Sequence, residues 1–182
     1  MTTPLFSKVL IANRGEVALR IVRALHDLDI PSVAVYADDD AGAPHVQAAT
    51  EAVALGATGP AAYLDGARII ALARERGVDA VHPGYGFLSE RADFAQACEA
   101  AGLRFIGPTP VQLMLFGDKA QARALAARCG VPLMPGTQHE VTLEEAQAFW
   151  HAQQAGGQGA GIVIKAIGGG GGRGMRAVQA AA

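Results

Sequence analysis

The sequence is poor in cysteine and aromatic residues and has no long apolar run, and each shortage excludes a class of protein. Only two of the 182 residues are cysteines, Cys98 and Cys129, and neither has a Cys or His neighbour at metal-ligand spacing. We therefore expect buried, reduced thiols and no disulfide framework. Although 51% of the residues are hydrophobic, they occur in blocks too short to span a bilayer.

The charge of the chain is small and scattered along it. Fifteen Lys and Arg against 17 Asp and Glu give a net charge of −2, and no basic cluster is present that would track a phosphate backbone. Nucleic acid and membranes are therefore not expected partners. The first residues lack the charged and apolar regions of a secretory signal, so we expect a cytoplasmic protein.

Apolar blocks alternate with amphipathic helical patterns over the first 107 residues. The blocks with strand character are residues 8–12, 32–36, 52–55, 80–82 and 104–106. The helical patterns between them cover residues 16–28, 64–76 and 91–101. This alternation predicts an α/β fold, a Rossmann-like parallel sheet with helices on both faces.

The pattern changes after Pro108 and predicts the beginning of a second domain. Asp118 can cap a helix from Lys119 to about residue 129, and Thr142 with Glu145 forms a capping box for a helix that ends near residue 155. Strands are predicted at 131–134 and 161–166. We expect a first domain over residues 1–117 and the start of a second over residues 118–182.

Five consecutive glycines, Gly168–Gly172, lie between two apolar strand patterns. Backbone N–H groups of such a loop can turn toward one anion without interference from Cβ atoms, so the loop can wrap phosphates. Lys165 precedes it and Gly174 and Met175 follow it. A plain flexible linker is the alternative. It is not a Walker A loop, because no Gly-Lys-Ser/Thr follows the glycines.

The first βα turn, Asn13-Arg14-Gly15-Glu16, has one glycine where a dinucleotide fingerprint needs three. The first domain is therefore expected to be a scaffold or substrate platform, with nucleotide bound by the second. The loop that begins at His82 leaves the carboxyl end of a strand, where open α/β sheets place ligands.

Taken together and in order, five segments resemble the motifs of the biotin carboxylase family, part of the ATP-grasp superfamily. They are KVLIANRGEVALR from Lys8, HPGYGFLSE from His82, FIGP from Phe105, Gly117-Asp118-Lys119, and IKAIGGGGGRGMRAV from Ile164. The resemblance implies a ligase that activates bicarbonate with ATP and Mg²⁺ or Mn²⁺ and carboxylates biotin on a carrier domain. It also implies a pre-ATP-grasp domain followed by the start of an ATP-grasp domain.

The resemblance further implies roles for individual residues. Those expected to bind ATP are Lys119, Lys165, Gly168, Gly169, Gly170, Gly171, Gly172, Gly174 and Met175. Those expected near biotin and bicarbonate are His82, Tyr85 and Gly86. For His82 two roles stay open, a general base or, as we favour, a ring that holds the loop by hydrogen bonds. Arg20, Arg23 and Asp27 match a dimer-contact helix, although a solvated charged face is an equal alternative.

The resemblance also implies a biotin carboxyl carrier domain, a carboxyltransferase and a second copy of the enzyme as partners. Acetyl-CoA, propionyl-CoA, methylcrotonyl-CoA and pyruvate carboxylases all fit. Metal ligands are expected beyond residue 182, so we expect the 182 residues alone to be inactive. Two alternatives remain: a non-enzymatic Rossmann-like nucleotide-binding or interaction module, and another ATP-grasp ligase related to carbamoyl phosphate synthetase.

Overall fold

The computed structural model describes residues 5–137, 139–155, 161–166 and 174–179. The chain divides into two compact units, residues 1–114 and residues 115–182. The first contains a parallel sheet and is called the sheet unit below. The second contains an antiparallel hairpin and is called the hairpin unit.

The sheet unit begins with a regular alternation of strands and helices. In chain order these are β1 (Val9–Ile11), α1 (Gly15–Asp27), β2 (Ser32–Tyr36), α2 (Pro44–Ala48), β3 (Glu51–Ala54), α3 (Gly66–Glu75), β4 (Ala80–His82), α4 (Ala92–Ala100) and β5 (Arg104–Phe105). Two 3₁₀ turns, Asp38–Asp40 and Pro60–Leu64, precede α2 and α3. Except for the short helix α2, every helix and strand of this unit was expected from the sequence.

All five strands are parallel and follow the order β3-β2-β1-β4-β5. The first strand is central: Val9 pairs with Ser32 of β2 on one side and with Ala80 of β4 on the other. Central parallel strands are buried on both faces and therefore read as continuous apolar runs. The fold class is the expected α/β sheet, followed by the start of an ATP-grasp domain.

Helices cover both faces of the sheet because side chains of a strand alternate between faces. On one face Val9 and Ile11 pack with the apolar stripe of α1, which includes Ile21 and Leu25. On the other face Leu10 belongs to a larger core with side chains of α3 and α4: Ile69, Leu72, Phe94, Ala95 and Cys98. The two cores fix the orientation of the sheet edge that carries the loops after β1 and β4.

The hairpin unit is built from helices and one antiparallel strand pair. Helix α5 (Pro110–Gly117) crosses the boundary between the units, and α6 (Lys119–Arg128), α7 (Leu143–Ala155), β6 (Ile162–Lys165) and β7 (Met175–Val178) follow. Asp118 caps α6 by accepting from the amides of Ala120 and Gln121 at 2.9 and 3.1 Å. The predicted capping box of α7 is confirmed: Thr142 N donates to Glu145 Oε2 at 2.8 Å.

Two expectations from the sequence are wrong. Residues 131–134 form no strand, because Pro132 within the segment and Pro135 after it lack the N–H that a ladder needs. Cys98 is buried as expected, but Cys129 is exposed at the end of α6. Burial raises the pKa of the Cys98 thiol to about 11, so it stays protonated at neutral pH.

Among the described helices, none combines the length and apolar character needed to cross a bilayer.

Candidate functional site

The direction of strand order reverses between β1 and β4. In open α/β sheets the loops that leave the carboxyl ends of the strands diverge at such a point and leave a crevice for ligands. Here the two loops are the one that starts at Asn13 and the one that starts at His82.

Asn13 joins these two loops. Its side chain is 1% exposed, and its Nδ2 donates to the carbonyl oxygens of Pro83 at 2.7 Å and Tyr85 at 2.9 Å. Its Oδ1 accepts from the Arg14 amide at 2.9 Å. A buried amide with both ends paired fixes the loop geometry. We had not predicted this role, although a polar residue directly after a buried strand is a detectable signal.

His82 also fixes the loop that it begins. Its Nδ1 accepts from the Gly84 amide at 3.0 Å, so the neutral ring carries its proton on Nε2. Burial lowers the pKa of His82, which favours this neutral form. The geometry accounts for a positioning role of the ring within the loop.

Gly84 is the point of closest approach between the loop and α1. Its φ is +64°, and a Cβ there would lie 2.6 Å from Val17 Cγ1 and 2.8 Å from Asn13 Nδ2. Only glycine combines the left-handed backbone with this close contact. Gly86 has a similar φ of +70° but open space around it.

A groove of about 310 Å³ lies between the first turns of α1 and this loop. Its lining brings Arg20 together with two of the residues expected near biotin and bicarbonate, His82 and Tyr85; the other lining residues are Glu16, Val17, Ile21 and Gly84. Tyr85 is 69% exposed. Arg23 and Asp27 are exposed farther along α1, and neither lines the groove.

Next to the groove, an ion pair joins a residue that follows β1 to a residue that follows β2. The Arg14 guanidinium donates to both carboxylate oxygens of Asp40, at 2.7 and 2.6 Å, and Tyr63 OH donates to the same carboxylate at 2.7 Å. The Arg14 hydrogen bond lowers the pKa of Asp40, although burial acts in the opposite direction. Burial raises the pKa of Tyr63.

This arrangement bears on nucleotide binding by the sheet unit. In dinucleotide-binding sheets an acidic residue near the end of the second strand accepts from a ribose hydroxyl. Here Asp40 already accepts three charged or hydroxyl donors from Arg14 and Tyr63. The missing glycine fingerprint and the occupied carboxylate together leave this position without a nucleotide-binding group.

Within the hairpin unit, Lys119 contacts the backbone of the residue that follows Lys165. Lys165 is the last residue of β6 and pairs with Met175 of β7. The next residue, Ala166, donates its amide to the Gly174 carbonyl at 2.8 Å, and its own carbonyl accepts from Lys119 Nζ at 3.4 Å. Lys119 at the start of α6 thus contacts the backbone directly beyond Lys165.

Gly174 is the described residue directly before β7. Its φ is +72°, and a Cβ there would come within 2.7 Å of the Ala166 Cβ. Gly168 to Gly172, the loop expected to cover phosphates, lie outside the described residues. Within the described ranges no three His, Cys, Asp or Glu side chains are grouped so that they could hold a metal ion.

Comparison with known families matches the two parts of the chain separately. Residues 5–113 match the family described as "Biotin carboxylase, N-terminal domain". Residues 118–182 match the family described as "Carbamoyl-phosphate synthase L chain, ATP binding domain". The second description names the alternative ligase class, but the relatives described next, which match 94% to 95% of the chain, are carboxylases.

The chain is 53% identical to mitochondrial pyruvate carboxylase of Rattus norvegicus, over 94% of this chain and 14% of the relative. It is 51% identical to the biotin-dependent acyl-coenzyme A carboxylase alpha3 subunit of Mycobacterium leprae, over 95% of this chain and 28% of the relative. The chain thus spans less than a third of the length of either protein.

Solved structures agree. The biotin carboxylase domain of a single-chain bacterial carboxylase is 60% identical with a TM-score of 0.81, over 89% of this chain and 36% of that one. A second solved structure is the biotin carboxylase domain dimer of Hydrogenobacter thermophilus 2-oxoglutarate carboxylase, in complex with MgADP, ADP and bicarbonate. It is 43% identical with a TM-score of 0.86, over 96% of this chain and 38% of that one. With its sheet topology and the family match over residues 5–113, the chain belongs to the biotin carboxylase N-terminal domain family.

Proposed function

We propose that this chain forms the platform and the first part of the ATP site of a biotin-dependent carboxylase. Such an enzyme uses ATP and bicarbonate to carboxylate biotin on a carrier domain. The observation that carries the proposal is the contact of Lys119 Nζ with the Ala166 carbonyl, directly after Lys165. It places the Lys119 ammonium at the residue that follows Lys165 and precedes the glycine-rich segment, where a point charge on a long stem suits a polyphosphate.

The glycine loop, Gly174 and Met175 would complete this half of the site, with backbone N–H groups of the loop directed at the phosphates. MgADP bound to the related 2-oxoglutarate carboxylase domain supports a magnesium nucleotide as the ligand. The metal's role is to neutralise charge on the phosphates. No metal ligand is assigned to the described residues of this chain.

The groove at the switch point is proposed as one wall of the biotin and bicarbonate site. Its support is the location of the groove at the carboxyl edge of the sheet and its mixed lining. The Arg20 guanidinium can attract an anion, and the exposed Tyr85 ring can stack on a flat ring such as the ureido ring of biotin. Gly86 would let a ligand approach the backbone closely.

A second copy of the enzyme, a biotin carboxyl carrier domain and a carboxyltransferase are the proposed partners. The dimer of the related 2-oxoglutarate carboxylase domain supports the first of these. On this chain Arg20, Arg23 and Asp27 are the proposed dimer contacts, since all three are exposed on α1, and Arg20 also lines the groove. Pyruvate and an acyl-CoA both fit as the final acceptor, because a pyruvate carboxylase and an acyl-coenzyme A carboxylase subunit are similarly identical to the chain.

Calorimetric titration with MgATP tests the phosphate site. We expect saturable binding to the 182-residue chain and its loss when Lys119 and Lys165 are both replaced by Ala. Arg128→Ala is the matched control, because it removes an exposed positive charge from α6 at the end opposite Lys119. Equal binding by the parent chain and the double variant would refute the assigned roles of the two lysines.

We also propose that the 182 residues alone do not carboxylate biotin. The support is that they span 36% to 38% of the solved biotin carboxylase chains compared above. The test is ATP-dependent fixation of labelled bicarbonate onto free biotin, with a heat-denatured sample as the background. Turnover well above that background would overturn the proposal that the 182 residues are inactive alone. It would not bear on the phosphate roles of Lys119 and Lys165, which the calorimetric titration tests.

A further inference from the structure

Helix α6 carries a second cation on the face that bears Lys119. Arg123 is four residues farther along the helix, and residues at this spacing lie one above the other on the same helical face. Arg123 was not singled out by the sequence patterns. Its hydrogen bond to Met134 and its contact with Gly136 lie within the hairpin unit.

Arg123 holds the segment that runs back along α6. The helix ends at Arg128. Gly130 then has a φ of +70°, and Val131 N donates to the Ala126 carbonyl at 3.0 Å, so that the chain reverses. Arg123 Nη2 then donates to the Met134 carbonyl at 2.8 Å. A single long side chain thus ties the middle of the helix to the segment that follows it.

The guanidinium also lies against Gly136. A Cβ at that position would come within 3.0 Å of Arg123 Nη2 and 3.1 Å of Arg123 Cζ. Arg123 Nε is buried and has no hydrogen-bond partner within the described residues. The planar group is therefore held by one hydrogen bond and by packing on a glycine, a geometry that a lysine side chain reproduces only in part.

Arg123 and Lys119 therefore contact the chain on either side of α7 and β6. Arg123 contacts Met134, which precedes them, and Lys119 contacts Ala166, which follows them. No described residue of the hairpin unit is buried, so no apolar core fixes the orientation of α6 there. The hydrogen bonds of Arg123 and Lys119 are polar anchors that can supply that orientation.

We propose that Arg123 is a positioning residue for Lys119. By holding α6 against the Met134–Gly136 segment, it keeps the Lys119 ammonium beside the Ala166 carbonyl and hence at the entrance to the glycine loop. The inference rests on the proposed function for the role of Lys119 toward phosphate. Arg123 itself contacts no ligand.

A first experiment needs no nucleotide. The rate of acetylation of each lysine amine by acetic anhydride is measured by mass spectrometry in the parent chain, Arg123→Gln and Arg128→Gln. We expect Arg123→Gln to raise labelling of Lys119 by roughly two- to tenfold, the range for one net hydrogen bond. Lys8 in the sheet unit and the Arg128→Gln control should not change. Unchanged Lys119 labelling in Arg123→Gln overturns the proposal.

A double-mutant cycle then tests whether Arg123 acts through Lys119. MgATP affinity is measured for the parent chain, Arg123→Gln, Lys119→Ala and the double variant. We expect Arg123→Gln to weaken binding about tenfold, and to have no further effect once Lys119 is absent. Arg123→Lys should recover part of the loss, because it can still donate to Met134. Additive losses would mean that Arg123 acts independently of Lys119, and would overturn the proposal.

The two experiments separate failure of this inference from failure of the proposed function. If Lys119→Ala binds MgATP as tightly as the parent chain, the phosphate role is wrong, and the labelling rates still decide whether Arg123 positions Lys119. A urea midpoint for the sheet unit that is equal in all variants shows that the effects are confined to the hairpin unit.

Discussion

At the scale of single residues, the sheet unit depends on a few polar side chains within an apolar core. Asn13 and the Arg14–Asp40 pair have their hydrogen-bonding groups satisfied. His45 is different, since its ring is fully buried and neither nitrogen has a hydrogen-bond partner in the described part of the chain. A buried polar group without a hydrogen-bond partner lowers the free energy of unfolding, and lowers it more when the group is charged.

Gly84→Ala should destabilise the sheet unit much more than Gly86→Ala. Both positions have a left-handed backbone, which costs about 1 kcal/mol for alanine. At Gly84 the new methyl would also clash with Val17 and Asn13, which adds about 1–3 kcal/mol. Urea unfolding followed by circular dichroism measures both. Equal losses in the two variants would show that the contact around Gly84 relaxes without cost.

The stability of the sheet unit should fall as the pH is lowered below about 6.5, the ordinary pKa of histidine. Burial lowers the pKa of His45, with Arg14 adding to the effect and Asp40 and the Val35 backbone opposing it. Burial lowers the pKa of His82 as well. In this window the unfolded chain binds more protons than the folded chain, so acid favours unfolding, until the pH passes the folded-state pKa values.

His45→Leu isolates the contribution of the buried ring. We expect the pH dependence of the unfolding free energy between pH 7 and pH 5 to decrease, by at most about 1.4 kcal/mol per pH unit for one proton. At pH 7 the variant should lose little stability, because the neutral ring makes no hydrogen bond of normal geometry within the described residues. His26→Gln on the surface is the control and should keep the parent slope. An unchanged slope in His45→Leu would contradict the assignment.

At the scale of elements, Asp79 connects the beginnings of the two central strands. Its carboxylate accepts from Ser7 N at 2.7 Å, Ser7 Oγ at 2.8 Å and Lys8 N at 3.2 Å. Burial works against the charged form, but the hydrogen bonds from Ser7 and Lys8 prevail and lower the pKa of Asp79. The segment before β1 is thereby tied to the segment before β4.

Asp79→Ala should lower the free energy of unfolding by about 1–3 kcal/mol at pH 7, because it removes a charged acceptor shared by three donors. Asp38→Ala, an exposed carboxylate in the 3₁₀ turn after β2, should change it by less than about 0.5 kcal/mol. Since the folded-state pKa of Asp79 is lowered, the difference between the two variants should shrink as the pH falls through that pKa. A difference that persists at low pH would point to packing instead of charge.

At the scale of the whole molecule, burial is distributed unequally along the chain. The last buried residue of the described chain is Phe105, and the described residues after it include exposed apolar side chains such as Phe116, Met134 and Ile164. Regions with few buried apolar contacts open with free energies far below that of the global unfolding. The sheet unit and the hairpin unit should therefore differ in local stability.

Limited trypsin digestion should cleave first after Arg123 or Arg128 and later within the sheet unit. We expect initial cleavage in α6 to be at least about tenfold faster than cleavage after Arg23 of α1, as expected when local opening requires less free energy than global unfolding. Mass spectrometry of timed samples gives both rates. Simultaneous cleavage in the two helices would show that the units open together.

Much of the fold could be predicted from the sequence because the pattern in the first 107 residues is local. The apolar runs at Val9–Ile11 and Ser32–Tyr36 and the apolar stripe of α1 predict buried parallel strands and a covering helix without reference to distant residues. Residues 131–134 misled the prediction because apolar composition alone does not supply a strand partner, and Pro132 prevents regular pairing.

The candidate site was predictable to a smaller extent. The order of the motifs identified the family, and the position of His82 at the end of a strand predicted the ligand-binding edge. The roles of Asn13, of the Arg14–Asp40–Tyr63 network and of Arg123 depend on contacts across 70, 26 and 11 residues of sequence. Spacing within the chain carries no signal for pairs so far apart.

The sequence by itself thus determined all five strands of the sheet unit, most of its helices, and the family that the chain belongs to, because periodicity and motif order are properties of neighbouring residues. Only the tertiary structure decided that Asp40 is occupied by Arg14, that Arg20 lies beside His82, and that Lys119 contacts the carbonyl after Lys165. These depend on how the strands order in the sheet and how the chain reverses after α6, since hydrogen bonds form only where folding brings donor and acceptor within about 3 Å.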